Sequence, residues 1–520
     1  MVAGARSLAE LTAGLIAVPP DVAVTDVTLD SRAVSPGALF LACRGRTHHG
    51  LKFAGQAIAR GARAVLYEPA EASPERAPEF NSEVFFARVP ELSQHVGTIA
   101  DRFFGSPSQA LRVAGITGTN GKTTCAWLLA QALGFCGHEA AYAGTIGYGM
   151  PGALAESGYT TPDAVNVHRQ LAELRGRGAQ YVCMEVSSHA LDQGRVNGVR
   201  FSLAAFTNLT RDHLDYHASM DQYGAAKALL FSSPGVKARI INADDEFGAR
   251  LAERASPARL IVTTRKEHFP LAEFVRATRV HAQSSGLVIG IESSWGVSEV
   301  AAPLIGDFNV ENVLTVLASL VALGVPLADA TRALSRCRAP SGRMEVFGGK
   351  RGLPLAIVDY AHTPDALSKA LRAARMHCRG RLHVVFGCGG DRDPGKRPLM
   401  GTIAAELADS IVITDDNPRT EDPRRIVADI CAGLRGTAFG GLASSSGMRP
   451  LSAGPIVARA TSVRVEHDRA RAITSTLDAA GPEDAVVVAG KGHEQYQIYG
   501  NERRPFSDQA VIRAHFGEQA

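Results

Sequence analysis

Apolar residues along this chain gather in short unbroken runs, and between the runs they recur at helical spacing. Unbroken runs suit strands of a parallel sheet covered on both faces, and the spaced segments suit the helices that cover them. Three blocks follow. The first, 1–107, mixes short apolar strands with one clear helix over 53–60, and Gly105-Ser106-Pro107-Ser108 punctuates its end as a linker. The second, 108–339, opens with a run at 111–117, a Gly-rich turn and a helix from Lys122 to about Phe135. Strands at 181–185, 203–208 and 239–242 then alternate with helices at 163–175 and 221–231. An amphipathic helix over 309–323 closes the block, with Val313, Leu314, Leu317, Leu320 and Val321 on one face. The third block, 340–520, alternates regularly: strands at 355–358, 382–386, 410–414 and 485–489, and helices after Thr363-Pro364, at 398–407 and at 422–434. A stretch over 435–461 rich in Gly, Ser and Ala reads as an exposed loop. The pattern predicts an α/β protein of three domains, the last doubly wound.

Length agrees, since 520 residues exceed what one hydrophobic core holds. Composition is that of a globular protein, 45% hydrophobic and 21% charged. Lys+Arg 55 against Asp+Glu 52 leaves a formal charge of +3, which argues against an extended nucleic-acid surface but not against a local anion pocket. The eight cysteines (43, 125, 136, 183, 337, 378, 388, 431) lack metal-like spacing and read as buried free thiols in a reducing compartment. The apolar stretch 11–18 follows Glu10 and has no cleavage-type site after it, and no later run approaches membrane-spanning length. These features predict a cytoplasmic protein without nucleic-acid or membrane partners; a monomer is the expectation, though no sequence feature decides the oligomeric state.

The strongest local chemistry is Gly115-Ile116-Thr117-Gly118-Thr119-Asn120-Gly121-Lys122-Thr123-Thr124, set between a strand and a helix. Glycines there let backbone N–H groups turn toward a polyphosphate, and the helix N-terminus adds favourable partial charge. Lys122 can reach β- and γ-phosphates, and the Thr123 hydroxyl can hold Mg²⁺. The strict phosphate-loop spacing is broken, because Ile116 stands where a glycine is usual. Taken alone, such a loop also fits a nucleotide switch or a transport ATPase.

The run TGTNGKTT resembles the loop of the Mur ligases, with a close variant in folylpolyglutamate synthetases. The resemblance extends through 208–217 (NLTRDHLDYH), 223–231 (YGAAKALLF), Gly306-Asp307-Phe308-Asn309 with Asn312, 341–345 (SGRME), Asp359-Tyr360-Ala361-His362 and Gly390-Asp391-Arg392-Asp393. It implies an N-terminal α/β domain for a UDP-sugar, a central phosphate-loop ATPase domain with a parallel sheet, and a C-terminal Rossmann-like domain for an amino acid. It also implies ATP and Mg²⁺, with Gly118, Thr119, Asn120, Gly121, Lys122, Thr123, Thr124, Asn312, Arg343, Asp359 and His362 around the nucleotide. Glu185 and His213 are carried over as metal ligands beside Thr123, and Lys227 as the family's carbamylated lysine. Lys122, Glu185, His213 and Lys227 would form the catalytic set.

Leu29 and Ser31, in Leu29-Asp30-Ser31-Arg32, resemble the uridine-diphosphate pocket, with Arg46, Thr47 and His48 in the next contact loop. That loop departs from the commoner His-Gln-Ala-Asp-Gly form. Thr160, Thr161, Ser187, Gln193 and Arg195 resemble residues binding the sugar and peptide arm. Acceptor choice rests on Asp416-Asn417-Pro418-Arg419, which in the family accompanies meso-diaminopimelate, with Arg392, Gly490 and Glu494 as further contacts. An Arg fork pairs bidentately with a carboxylate, and diaminopimelate carries a second carboxylate where lysine has none. The expected reaction is ATP-dependent amide-bond formation between diaminopimelate and UDP-N-acetylmuramoyl-L-alanyl-D-glutamate. Neighbouring alternatives are a lysine-adding or D-alanyl-D-alanine-adding relative, or a folylpolyglutamate synthetase.

Overall fold

The unbroken apolar runs become strands buried along nearly their whole length, among them Arg112–Thr117, Tyr181–Glu185, Phe201–Phe206 and Ala238–Asn242. Strands sandwiched between helices need apolar residues on both faces, so alternation disappears. The computed structural model describes residues 4–45, 48–69, 84–266, 273–350, 352–434, 459–460 and 462–517. They divide into two compact units, Met1–Phe274 with Ala318–Pro326, and Val275–Leu317 with Leu327–Ala520.

Among its described residues the first unit pairs Arg6–Ser7 with Ala23–Val24 in a small antiparallel sheet and builds two larger ones. A four-stranded parallel sheet runs in the order Val27–Thr28, Leu39–Ala42, Ala64–Tyr67, Phe85–Arg88. The other has six parallel strands in the order Ala140–Gly144, Tyr181–Glu185, Arg112–Thr117, Phe201–Phe206, Ala238–Asn242, Arg259–Thr264. Two antiparallel strands, Gly147–Met150 and Ala153–Ala155, extend its first edge. The central strand Arg112–Thr117 feeds helix Lys122–Phe135 through the Gly-rich turn. Asp163 caps helix Ala164–Gly176 by accepting from the Asn166 amide.

In the second unit an antiparallel meander links Glu273–Gln283, Gly286–Ser293 and Gly296–Ala302. A six-stranded sheet follows in the order Glu345–Gly348, Leu355–Asp359, Ala485–Ala489, Leu382–Phe386, Ser410–Ile413, Ser462–Val465, with only its first pair antiparallel. Thr363 and Pro364 open helix Pro364–Met376 as expected, the Thr363 hydroxyl accepting from the Ala366 amide.

Several expectations need correction. The proposed linker at Gly105–Ser108 is partly a short helix, Pro107–Ala110, because Pro at its first position favours a helix start. The first block contains a longer helix than 53–60, namely Leu92–Phe103. The segment over 309–323 is a helix, Asn309–Ala322, but its Val310, Val316 and Ala318 are buried along with the five positions singled out, so it is not one-sided. The helix after Asp221 turns 3₁₀ at Leu229–Ser232. None of the eight cysteines is in a disulfide among the described residues, yet Cys43, Cys136 and Cys378 are only half-buried. The 435–461 segment lies outside the described residues except for Arg459 and Ala460.

One buried ion pair fastens the end of the C-terminal sheet. Arg469 donates from Nε to Asp508 Oδ1 at 2.7 Å and from Nη2 to Oδ2 at 2.8 Å, both side chains wholly buried. Its Nη2 also donates to the Ala489 carbonyl at 3.0 Å, where strand Ala485–Ala489 ends. Deleting one partner leaves an uncompensated buried charge. Asp508→Ala therefore lowers the unfolding free energy of this unit by about 3–5 kcal/mol, read as a shift of its urea transition.

Candidate functional site

The Gly-rich turn is shaped by close approach to the chain after strand Phe201–Phe206. Gly118 has φ 147°, and a Cβ there would lie 1.9 Å from Thr207 Oγ1, so only glycine fits. The Thr119 amide donates to the Asn208 carbonyl at 2.8 Å and the Asn120 amide to Asn208 Oδ1 at 2.9 Å. Gly121, at φ 86°, then starts the helix that carries Lys122, Thr123 and Thr124 in its first turn. Lys122 Nζ folds back onto the carbonyls of Gly118 and Thr119, 2.8 Å from each. Amides at a helix start beside a lysine make an anion cradle.

Thr123 and Glu185 are brought together. The Thr123 hydroxyl donates to Glu185 Oε2 at 2.8 Å, and the carboxylate is fully buried at the end of strand Tyr181–Glu185. Its Oε1 accepts from the Tyr142 hydroxyl and from the Thr145 amide at 2.8 Å, and Oε2 accepts a second bond from Thr145 Oγ1 at 3.2 Å. Gly144 makes this possible, since a Cβ there would stand 2.2 Å from Glu185 Oε1 and 2.5 Å from the Tyr142 hydroxyl. Tyr142 and Thr145 were not anticipated, because a tyrosine inside the apolar run 140–144 looks like core. The hydroxyl and carboxylate are hard oxygen donors, and Mg²⁺ takes oxygen ligands, so the pair fits that ion. Among the described residues no group of three or more His, Cys, Asp or Glu side chains is gathered as a metal site.

Lys227 is not on a solvent-facing helix surface but is 1% exposed. Its Nζ donates to the Gly118 carbonyl at 2.8 Å and lies 4.2 Å from the centre of the Tyr223 ring. Burial, and then the nearby Lys122 charge, holds its amine at about 6. His213 is exposed, has φ 52°, and stands 3.5 Å from Asp212 Oδ2. Its ring neighbours are His189 at 4.8 Å and Tyr223 at 6.0 Å, so Tyr223 is what relates His213 to Lys227. His189 packs in turn on Tyr216 and His217, and burial foremost lowers both histidines from their usual range.

A cavity of about 690 Å³ lies between the N-terminal Leu29, Ser31, Arg32 and Phe53 and the Asn166 and Arg169 of helix Ala164–Gly176, among others. Ser31 donates to Gln56 Oε1 at 2.7 Å. His48 is exposed, with its ring 6.4 Å from the cavity-lining Phe53; Arg46 and Thr47 lie outside the described residues. Thr161, Ser187, Gln193 and Arg195 form one network. The Thr161 hydroxyl donates to the Glu185 carbonyl at 2.9 Å and accepts from the Ser187 amide at 3.2 Å. Arg195 donates to the Thr161 carbonyl at 3.1 Å and to Gln193 Oε1 at 2.6 Å. Thr160 is 3.0 Å from the Thr145 hydroxyl, which links this network to the Glu185 carboxylate.

In the second unit, Asp359 ends strand Leu355–Asp359 and accepts from the Met344 amide at 2.8 Å and the Ala361 amide at 2.9 Å. Burial nevertheless pushes its carboxyl above the usual range. The Arg343 guanidinium lies 5.1 Å from the Tyr360 ring centre, and His493 and His362 pack on the same ring. Arg343 Nε and His493 Nδ1 are buried polar atoms without a hydrogen-bond partner among the described residues. Asn312 donates to Asn309 Oδ1 at 2.8 Å.

Asp416, Asn417, Pro418 and Arg419 follow strand Ser410–Ile413, and Gly490 and Glu494 follow strand Ala485–Ala489. The two loops meet. Asn417 Nδ2 donates to Glu494 Oε2 at 2.8 Å, and Gly490, at φ 114°, passes so close that a Cβ would lie 3.0 Å from Asp416 Oδ2. Arg419 has φ 53°, and its Nη1 donates to the Gly390 carbonyl at 2.7 Å, which aims the guanidinium. Arg392 is exposed in the loop after strand Leu382–Phe386. The resulting cluster offers two carboxylates, an amide and guanidinium groups, a set suited to a zwitterion. It lies at the carboxyl ends of parallel strands, where open α/β sheets take ligands.

Known proteins resemble this chain throughout. The family model "Mur ligase family, catalytic domain" matches residues 23–104, the "Mur ligase middle domain" residues 116–320 and the "Mur ligase, glutamate ligase domain" residues 342–492. The UDP-N-acetylmuramoyl-L-alanyl-D-glutamate--2,6-diaminopimelate ligase of Xanthomonas campestris pv. campestris (strain 8004) is 45% identical over 95% of this chain and 94% of that protein. The Alkalilimnicola ehrlichii protein of the same name is 46% identical over 95% of each chain. A solved structure described by that name superposes with TM-score 0.71 at 32% identity, covering 99% of both chains. With near-half identity along almost its entire length, and three family domains in order, this chain belongs to the Mur ligase family.

Proposed function

We propose that this chain is a cytoplasmic ATP-dependent ligase that adds meso-2,6-diaminopimelate to UDP-N-acetylmuramoyl-L-alanyl-D-glutamate during peptidoglycan precursor synthesis. The observation that carries the reading is the junction of the Asp416–Arg419 turn with Glu494 at the sheet's carboxyl end. The names of the relatives, 45% and 46% identical, support it. In this reading 1–107 holds the UDP-sugar, 108–339 the ATP and 340–520 the amino acid.

The substrate carboxylate attacks the γ-phosphorus of ATP, ADP departs, and an acyl phosphate forms. The acceptor amine then attacks the acyl carbon, loses a proton, and the tetrahedral centre expels phosphate as the amide forms. Bringing a carboxylate to a polyphosphate sets anion against anion, so fixed positive charge must offset the repulsion. Lys122 and the amides at the start of helix Lys122–Phe135 supply it. Thr123, Glu185 and His213 would hold Mg²⁺, which when bound supplies further charge neutralisation at the phosphates.

At an amine near 6, Lys227 is a free base at neutral pH. That is the form whose nitrogen adds to CO₂, forming an N–C bond, opening one C=O to a carboxylate oxygen and releasing a proton. The carbamate would turn a buried base into an anion able to help hold Mg²⁺. Arg343, Asp359, His362 and Asn312 are the residues proposed to meet the nucleotide in the second unit. Leu29, Ser31 and the Thr161–Arg195 network are proposed to bind the UDP-sugar and its peptide arm.

At the acceptor end, the Arg419 and Arg392 guanidiniums would pair with the distal carboxylate and Glu494 with the distal ammonium. Lysine would leave a guanidinium unpaired, at a cost on the order of a few kcal/mol.

Phosphate release from ATP should require both diaminopimelate and the UDP-linked dipeptide. Steady release with neither would instead mark a plain ATPase. Arg419→Ala should raise KM for diaminopimelate at least tenfold, about the weight of one charged hydrogen bond, and leave KM for ATP nearly unchanged. Lys227→Met should abolish turnover yet resist urea better at pH 7. The sign follows from linkage: the folded amine titrates near 6 against 10.5 when unfolded, so the unfolded state binds the extra proton between those values. The native lysine therefore costs stability most below about pH 6, and the advantage of Lys227→Met should shrink as pH rises toward 10.5.

A further inference from the structure

A lysine lies wholly inside the acceptor cluster, and neither the sequence motifs nor the reaction above assigned it a task. Lys491 follows strand Ala485–Ala489 and has no exposed surface. An ammonium carries three N–H donors. Each is engaged here: Asp416 Oδ1 at 3.4 Å, Asn417 Oδ1 at 3.1 Å and Glu494 Oε2 at 3.1 Å. The Tyr496 ring centre closes another side at 5.6 Å. A cation so saturated has no donor left for a ligand, so it must act through the residues it holds.

Those residues come from both loops of the cluster. Asn417 Oδ1 accepts from Lys491 and from the Ile498 amide at 3.0 Å, while its Nδ2 donates to Glu494 Oε2. Donors thus face one side of the amide and an acceptor the other, which fixes its orientation. Lys491 also ties the two carboxylates together, 3.4 Å from Asp416 and 3.1 Å from Glu494, so its charge offsets the repulsion between them.

We infer that Lys491 is a positioning residue for the acceptor, which locks Asn417 and Glu494 in one arrangement and so holds the Glu494 carboxylate in place for an ammonium at the acceptor's far end. The inference rests on the proposed diaminopimelate reading. It is tested on the full chain with Lys491→Met, which keeps the apolar stem but removes charge and donors, and Lys491→Gln, which keeps donors without charge. Lys491→Met should raise KM for diaminopimelate about tenfold or more, the weight of a lost charge-assisted hydrogen bond, with KM for ATP and for the UDP-linked dipeptide within about twofold. Lys491→Gln should fall between it and the unmodified protein. In a Glu494→Gln background the effect of Lys491→Met should shrink markedly, because residues acting as one unit are not additive.

An unchanged KM for diaminopimelate with only a lower Tm would overturn the inference. So would a parallel rise in all three KM values, full additivity with Glu494→Gln, or failure of both variants to fold, each of which makes Lys491 a general stabiliser. Failure of the underlying reading looks different: the unmodified protein would then not use diaminopimelate at all.

Discussion

Two lysine amines converge on one backbone oxygen. Lys122 and Lys227 each lie 2.8 Å from the Gly118 carbonyl, so both cannot carry a proton without strong repulsion. Lys122, at the helix start, keeps partial access to water; Lys227, buried behind Tyr223, gives up its charge. One amine thereby keeps its charge beside the Gly-rich turn and the other is held as a neutral base. The division depends on the Gly118 backbone, held in a conformation that no other residue could adopt against Thr207.

Burial of whole segments explains what could be read from sequence and what could not. Unbroken apolar runs located Tyr181–Glu185, Leu382–Phe386 and Ala485–Ala489 to the residue, because a strand covered on both faces leaves no other pattern. The antiparallel meander over 273–302 went unread. Its signal was the weaker period-two spacing of Leu287, Ile289 and Ile291, interrupted by Gly290. Helix Leu92–Phe103 was missed for a related reason: Gln94, His95 and Asp101 dilute a stripe formed by Leu92, Val96, Ile99 and Phe103.

The functional clusters divide in the same way. Motifs with unusual composition, such as the Gly-rich turn and Asp416–Arg419, announced themselves, and the fold sets Thr123 against Glu185 and Asn417 against Glu494. Thr161, Ser187, Gln193 and Arg195 also form one network. Residues acting from inside the core stayed hidden. Tyr142 sits in an apolar strand, and only the fold turns its hydroxyl toward Glu185. Lys491 stood between two glycines directly after a buried strand, a position where a long cation needs a reason, yet its three acceptors are scattered over 79 residues from Asp416 to Glu494.

The bare backbone at Gly144 has an evolutionary corollary. The Tyr142 hydroxyl, the Glu185 carboxylate and the missing methyl occupy one small volume, so no methyl can be added at Gly144 while the other two stay as they are. A lineage that replaced Gly144 with alanine would have to shorten or relocate the tyrosine in the same step. A side chain at Gly144 should therefore be strongly epistatic with Tyr142, harmful alone and tolerated only when the tyrosine changes with it.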